Sequence, residues 1–186
     1  MSEKPPPDFA MIRAVEVMAQ FIERQMNRPN VPPAPLDRPV LLFNETLALE
    51  IGRTTREDAE RAFGTGFPFP TQGWNTYAMR HDGHPALLSL FYRGETLIGA
   101  EHYYAKGKTQ PALAPRNLGT FRLVPGEIEL GTYFSKLSDD YVPAVGGPGG
   151  QVYATAYEAR YPGGVAYVMG NAGRVERLLL YIDAER

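Results

Sequence analysis

Apolar and polar residues alternate with a period of two along most of the chain after residue 40, a pattern typical of half-buried β-strands. Glycine and aspartate interrupt the alternation at residues 81–84 and 93–95, where they predict tight turns. The predicted strands cover residues 76–80, 86–93, 96–104, 120–124, 151–161, 165–169 and 174–182. Helical spacing of apolar residues occurs at residues 56–63 and 129–137. The sequence therefore predicts short helices between groups of antiparallel strands.

The two groups of predicted strands correspond to each other residue by residue. Residues 49–52 and 123–126 open the two groups, at a separation of 74 positions. Residues 77–80 and 157–160 then correspond at a separation of 80 positions. Self-similarity of this kind is the sequence signature of a repeated structural unit. We predict an α+β fold, a tandem repeat of a short helix packed on an antiparallel sheet.

The predicted repeats occupy residues 40–116 and 117–186. Each repeat would leave an unpaired sheet edge if it folded alone, so we expect the two to form one compact domain. A chain of 186 residues buries enough apolar surface for such a domain to be stable without disulfides or metal ions. Residues 1–39 precede the repeats as a separate segment.

The segment before the repeats carries apolar residues at helical spacing. Asp8 follows three prolines and is suited to cap an amphipathic helix. The apolar stripe of this helix consists of Met11, Val15, Met18, Ile22 and Met26. Prolines in residues 28–39 end the helix and predict an extended linker. Because the stripe is too apolar to be left in water, we expect it to contact the chain's own sheet, a second subunit or another protein partner.

Charge and composition exclude several classes of partner. The formal net charge is -2, and the basic residues are scattered, which argues against nucleic-acid binding. The chain has no cysteine, which rules out disulfides and thiolate metal sites. It also lacks an apolar run long enough to span a membrane and a signal-peptide pattern at its start. We expect a cytoplasmic protein, or a periplasmic or secreted one if a leader has been removed.

The first predicted helix has local start and stop signals. Thr54 or Thr55 can cap it, and Gly64 can end it. The motif consists of Gly52, Thr54, Asp58, Phe63 and Gly64. Followed by antiparallel strands, it resembles the repeat of the β-lactamase inhibitor proteins and the small outer-membrane assembly lipoproteins. This resemblance implies a tandem helix-and-sheet fold that binds other proteins, often through its open sheet face.

Tyrosine and arginine side chains mark one face of the predicted second sheet. Alternation places Tyr153, Tyr157 and Tyr161 together, and it places Arg177 and Tyr181 opposite an aliphatic set of residues in the last strand. Such side chains are enriched at the centres of protein interfaces. We therefore predict a protein-binding face. The alternative is that these side chains only cover the sheet or pack under the N-terminal helix.

Trp74 lies in a proline-rich loop, where it can anchor a partner or close the end of the core. The three histidines form the other group of chemical interest. They are His81, His84 and His102. Imidazoles are common metal ligands, but Asp82 and Gly83 between the first two are also an ordinary hairpin turn.

Taken together, these features favour a non-catalytic protein, either a protein-binding or assembly module or an inhibitor-like one. We predict no catalytic residue, no metal ligand and no cofactor. The alternative is a small metal- or ligand-binding enzyme with its site near His81, His84 and His102.

Overall fold

The structure is a computed structural model. It describes residues 40–43, 47–68, 73–105, 121–124, 126–144, 155–162 and 164–182. The predicted N-terminal helix, with its stripe from Met11 to Met26, lies outside these residues, as does Tyr153.

Strands make up most of the described residues, and every strand pair is antiparallel. The smaller sheet contains β1 (Val40–Phe43), β2 (Leu47–Leu49) and β7 (Phe121–Val124), in the order β2-β1-β7. The larger sheet contains β3 (Phe67–Pro68), β4 (Trp74–His81), β5 (His84–Arg93), β6 (Thr96–Tyr104), β8 (Val142–Pro143), β9 (Thr155–Tyr161), β10 (Gly164–Asn171) and β11 (Arg174–Ile182). Its order is β3-β4-β5-β6-β11-β10-β9-β8.

The helix α1 (Arg56–Phe63) confirms the first predicted helix. Thr55 and Asp58 form a capping box, in which each side chain accepts a hydrogen bond from the other residue's backbone amide. Gly64 ends the helix with a φ of 77°. No helix in the described part of the chain is long and apolar enough to cross a membrane.

The predicted tandem α+β repeat is wrong, because the described chain is mostly β and α1 is its only α-helix. The second predicted helix, at residues 129–137, is reduced to a 3₁₀ turn at Phe134–Lys136. Gly131, with a φ of 86°, breaks the helical backbone. The amide of Gly131 donates to the Val175 carbonyl at 2.7 Å, and the Val175 amide donates to the Thr132 carbonyl at 2.8 Å. Pairing with β11 therefore replaces helix formation.

The pairing registers define the two faces of the larger sheet, because residues directly opposite each other project to the same side. The helix face carries the row Tyr77, Leu88, His102, Leu178, Val168 and Tyr157. The opposite face carries the row Thr76, Ser89, Glu101, Leu179, Tyr167 and Glu158. The helix α1 and the smaller sheet pack on the helix face: the ring of Phe63 lies 5.5 Å from that of Tyr77, and the ring of Phe121 lies 5.3 Å from that of His102.

Candidate functional site

The tyrosine and arginine side chains predicted to form one binding face are divided between the two faces of the larger sheet. Tyr157 and Tyr161 lie on the helix face and are half-buried. Arg177, Tyr181 and Trp74 lie on the opposite face and are buried. The structure therefore does not bring these five residues together on a shared exposed surface.

Arg177 forms an ion pair inside the sheet. Its Nε atom lies 2.6 Å from Oε1 of Glu101, and its guanidinium lies 4.7 Å from the centre of the Tyr103 ring. Burial raises the pKa of the Glu101 carboxyl, and the charge of Arg177 opposes that rise. Beside this pair, the hydroxyls of Thr76 and Ser89 lie 3.2 Å apart. The opposite face thus has a row of buried polar side chains at its centre.

The three histidines are brought together at one end of the larger sheet. His81 and His84 face each other across the β4–β5 turn, and the ring of His102 lies 6.2 Å from that of His81. The Tyr104 ring lies 6.0 Å from His81 and 5.9 Å from His84. His84 is exposed, whereas His81 and His102 are buried. A series of aromatic rings therefore leads from the surface into the core.

The buried end of this series is a neutral imidazole. Nδ1 of His102 lies 3.0 Å from the Leu87 carbonyl oxygen, which can only accept, so Nδ1 carries the proton. Burial lowers the pKa of His102 to about 4. Among the residues that the structure describes, no group of three or more histidines and carboxylates lies close enough together to hold a metal ion.

A break in the pairing of β11 lies next to the histidines. The β6–β11 ladder ends at Tyr103 and Arg177. Beyond a register shift in the β10–β11 pairing, Val175 forms backbone hydrogen bonds with residues 131–132 instead of pairing with β6. A cleft opens where β6 ends and this second partner begins.

The cleft has a volume of about 360 Å³, within the range of small-molecule sites. Its walls are formed by His84, Pro85, Tyr104, Ala105, Gly131, Arg174, Val175 and Glu176. A Cβ atom at residue 131 would lie 3.4 Å from the Tyr104 hydroxyl, so a larger side chain there would fill the opening. The site thus brings an imidazole, a phenol, a guanidinium and a carboxylate together in one cleft.

The polar groups of the cleft are held by neighbouring side chains. The Arg174 guanidinium lies 4.3 Å from the centre of the Tyr133 ring and donates a hydrogen bond to the Tyr133 hydroxyl. The Glu176 carboxylate accepts a hydrogen bond from Asn171 at 3.0 Å. Burial, assisted by nearby carboxylates, raises the pKa of Tyr104. The Tyr104 hydroxyl is therefore a neutral group that can both donate and accept a hydrogen bond.

A second depression, of about 530 Å³, lies beside α1. Its charged side chains are paired locally, with Arg53 3.1 Å from Glu50 and Arg61 3.3 Å from Asp58. Exposed pairs of this spacing are ordinary features of a solvated surface. We therefore place the candidate site at the cleft.

Sequence analysis identified the histidines near the cleft but missed Tyr104, Arg174 and Glu176. Tyr104 belongs to β6 and the other two to β11, and the three residues share no sequence motif. The one local signal was Gly131, which interrupts the pattern of the second predicted helix.

We compared the chain with known protein families, curated protein sequences and solved structures, and none of them matches it. The resemblance to β-lactamase inhibitor proteins and outer-membrane assembly lipoproteins therefore stays a prediction.

Proposed function

We propose that this chain is a binding protein that takes a small organic ligand in the cleft lined by His84, Tyr104, Arg174 and Glu176. The observation that carries the proposal is the break in the β11 pairing, which places polar side chains from separate strands around one opening. Ligand sites commonly combine a concave surface with a few converging polar groups. The site lies beside the histidines that sequence analysis identified for the ligand-binding alternative.

NMR screening of small amines, carboxylates and alcohols tests this proposal. We expect binding to shift the backbone signals of Tyr104, Gly131 and Arg174 together. Tyr104→Phe keeps the ring and removes only the hydroxyl, so it should weaken binding of ligands that hydrogen-bond there. Arg61→Gln, in the depression beside α1, is the matched control and should leave binding unchanged. Shifts that cluster elsewhere, or no shifts with any compound, would contradict a ligand site in the cleft.

The protein-binding role stays a second candidate, at a different surface from the one predicted. Tyr133 is 46% exposed and lies against Arg174 at the rim of the cleft. Tyrosine and arginine are the side chains most often found at the centres of interfaces. A second copy of the chain is the partner that can be tested directly. Tyr133→Ser should then reduce self-association in sedimentation experiments, and identical sedimentation of both proteins at all concentrations would contradict this candidate.

A further inference from the structure

We propose that the ligand of the cleft is a small organic cation that carries an alkylammonium group. This inference rests on the proposed function and names its ligand class. It is carried by the Tyr104 hydroxyl and the Glu176 carboxylate, which line the cleft together, and by the way in which the Arg174 guanidinium is already engaged by Tyr133.

Three carboxylates and one guanidinium act on the Tyr104 hydroxyl. They are the carboxylates of Asp82, Glu129 and Glu176 and the guanidinium of Arg174. The carboxylates disfavour a negative charge at the hydroxyl more than the guanidinium favours one, because they act together in the same direction. An anionic ligand would meet the same repulsion, whereas an ammonium group would be attracted.

The guanidinium of Arg174 is poorly placed to reverse this preference. It lies over the Tyr133 ring and donates to the Tyr133 hydroxyl. An anionic ligand would have to compete with these contacts, because they hold the positive charge of Arg174 at the rim of the cleft. The arrangement also shows that a tyrosine ring on this surface accepts a cation against its face.

The cleft offers a cation both a hydrogen-bond acceptor and an aromatic surface. The Tyr104 hydroxyl oxygen can accept from an ammonium N–H, and the Glu176 carboxylate lies in the same wall. Aromatic rings and carboxylates together are the groups by which proteins recognise organic ammonium ions. The small volume favours a short alkyl chain.

Three probes of similar size and different charge test this assignment: ethylammonium chloride, sodium propionate and propionamide. We expect ethylammonium to bind the full chain at low ionic strength, with NMR shifts at Tyr104 and Glu176, and to bind more weakly as salt is added. Propionate should bind far more weakly than ethylammonium.

Variants that each lack one carboxylate test whether these charges attract the ligand. Asp82→Asn is suited to this purpose because asparagine also tolerates the left-handed backbone at this turn, where φ is 48°. Asp82→Asn and Glu176→Gln should each weaken ethylammonium binding about two- to fivefold, the effect of one partly exposed charge. Glu57→Gln removes the same charge from the exposed surface of α1 and should leave the affinity unchanged.

The outcomes separate this inference from the function on which it rests. Binding of propionate or propionamide in the cleft without ethylammonium would overturn the cation assignment and leave the proposed function standing. Binding of ethylammonium that Glu57→Gln weakens as much as Asp82→Asn would also overturn it, because the attraction would then come from net charge alone. If none of the three probes binds, the ligand-binding function fails together with this inference.

Discussion

His102 is a residue whose burial makes the fold sensitive to acid. It is completely buried, and its folded-state pKa of about 4 lies below the ordinary value of 6.5. The unfolded chain therefore binds a proton more readily, so the contribution of His102 to stability is complete above pH 6.5 and is lost as the pH falls towards 4. The loss should be on the order of 3 kcal/mol in the free energy of unfolding. Urea unfolding at a series of pH values measures it.

The variant His102→Asn identifies the source of this pH dependence. An asparagine side chain can keep the hydrogen bond to the Leu87 carbonyl but does not titrate, so the slope of stability between pH 6.5 and 4 should become flatter. An unchanged slope in His102→Asn would show that other groups cause the acid sensitivity.

The ion pair between Glu101 and Arg177 is a second consequence of burying polar residues. Arg177→Met should reduce the free energy of unfolding by about 3–5 kcal/mol, because it leaves a buried carboxylate without its counter-charge. Replacing both residues, by Glu101→Leu with Arg177→Met, should recover most of that loss. Denaturant unfolding of the single and double variants measures the difference. A double variant no more stable than Arg177→Met would contradict the importance of charge pairing here.

At the scale of elements, the part of the fold that local sequence determines could be predicted. The helix α1 follows from Thr55, Asp58 and Gly64, which lie within ten residues of one another. The predicted helix at residues 129–137 failed because Gly131 and Thr132 bond to Val175, more than forty positions away. The same long-range pairing forms the cleft. Of the candidate site, therefore, only the neighbouring histidines could be predicted from the sequence. Two of these histidines belong to a single hairpin.

The β10–β11 hairpin contains a bulge at Glu176, opposite Met169 and Gly170. A Cβ atom at residue 170 would lie 1.8 Å from the Arg174 carbonyl oxygen, so Gly170→Ala must move backbone and should cost about 3 kcal/mol. Gly173, in the same hairpin, has open space around it and a φ of 76°, so Gly173→Ala should cost only about 1–2 kcal/mol of backbone strain. Thermal unfolding of both variants compares them. Equal losses would show that the hairpin relaxes around residue 170.

At the scale of the whole molecule, the larger sheet contains two three-stranded meanders, β4-β5-β6 and β9-β10-β11, joined along β6 and β11, with the short strands β3 and β8 at its two edges. The strands themselves could be predicted, because alternation of apolar and polar residues is a local property. That the two groups of strands share one domain was also expected, but the pairing of β6 with β11 could not be predicted, because nothing in either strand specifies its partner across a long loop. The face assignment of Tyr157 and Arg177 failed for the same reason, since it requires the register between strands.

The joined meanders should unfold as one unit. Buried side chains from both belong to a single hydrophobic core, which continues across the β6–β11 contact. Native-state hydrogen exchange in increasing urea should therefore give β4–β6 and β9–β11 the same opening free energy, equal to that of global unfolding. The two-residue edge strands β3 and β8 should open at lower free energy, because each pairs on one side only. A lower common value for β9–β11 than for β4–β6 would show that the halves unfold separately and that the β6–β11 contact joins two independent cores.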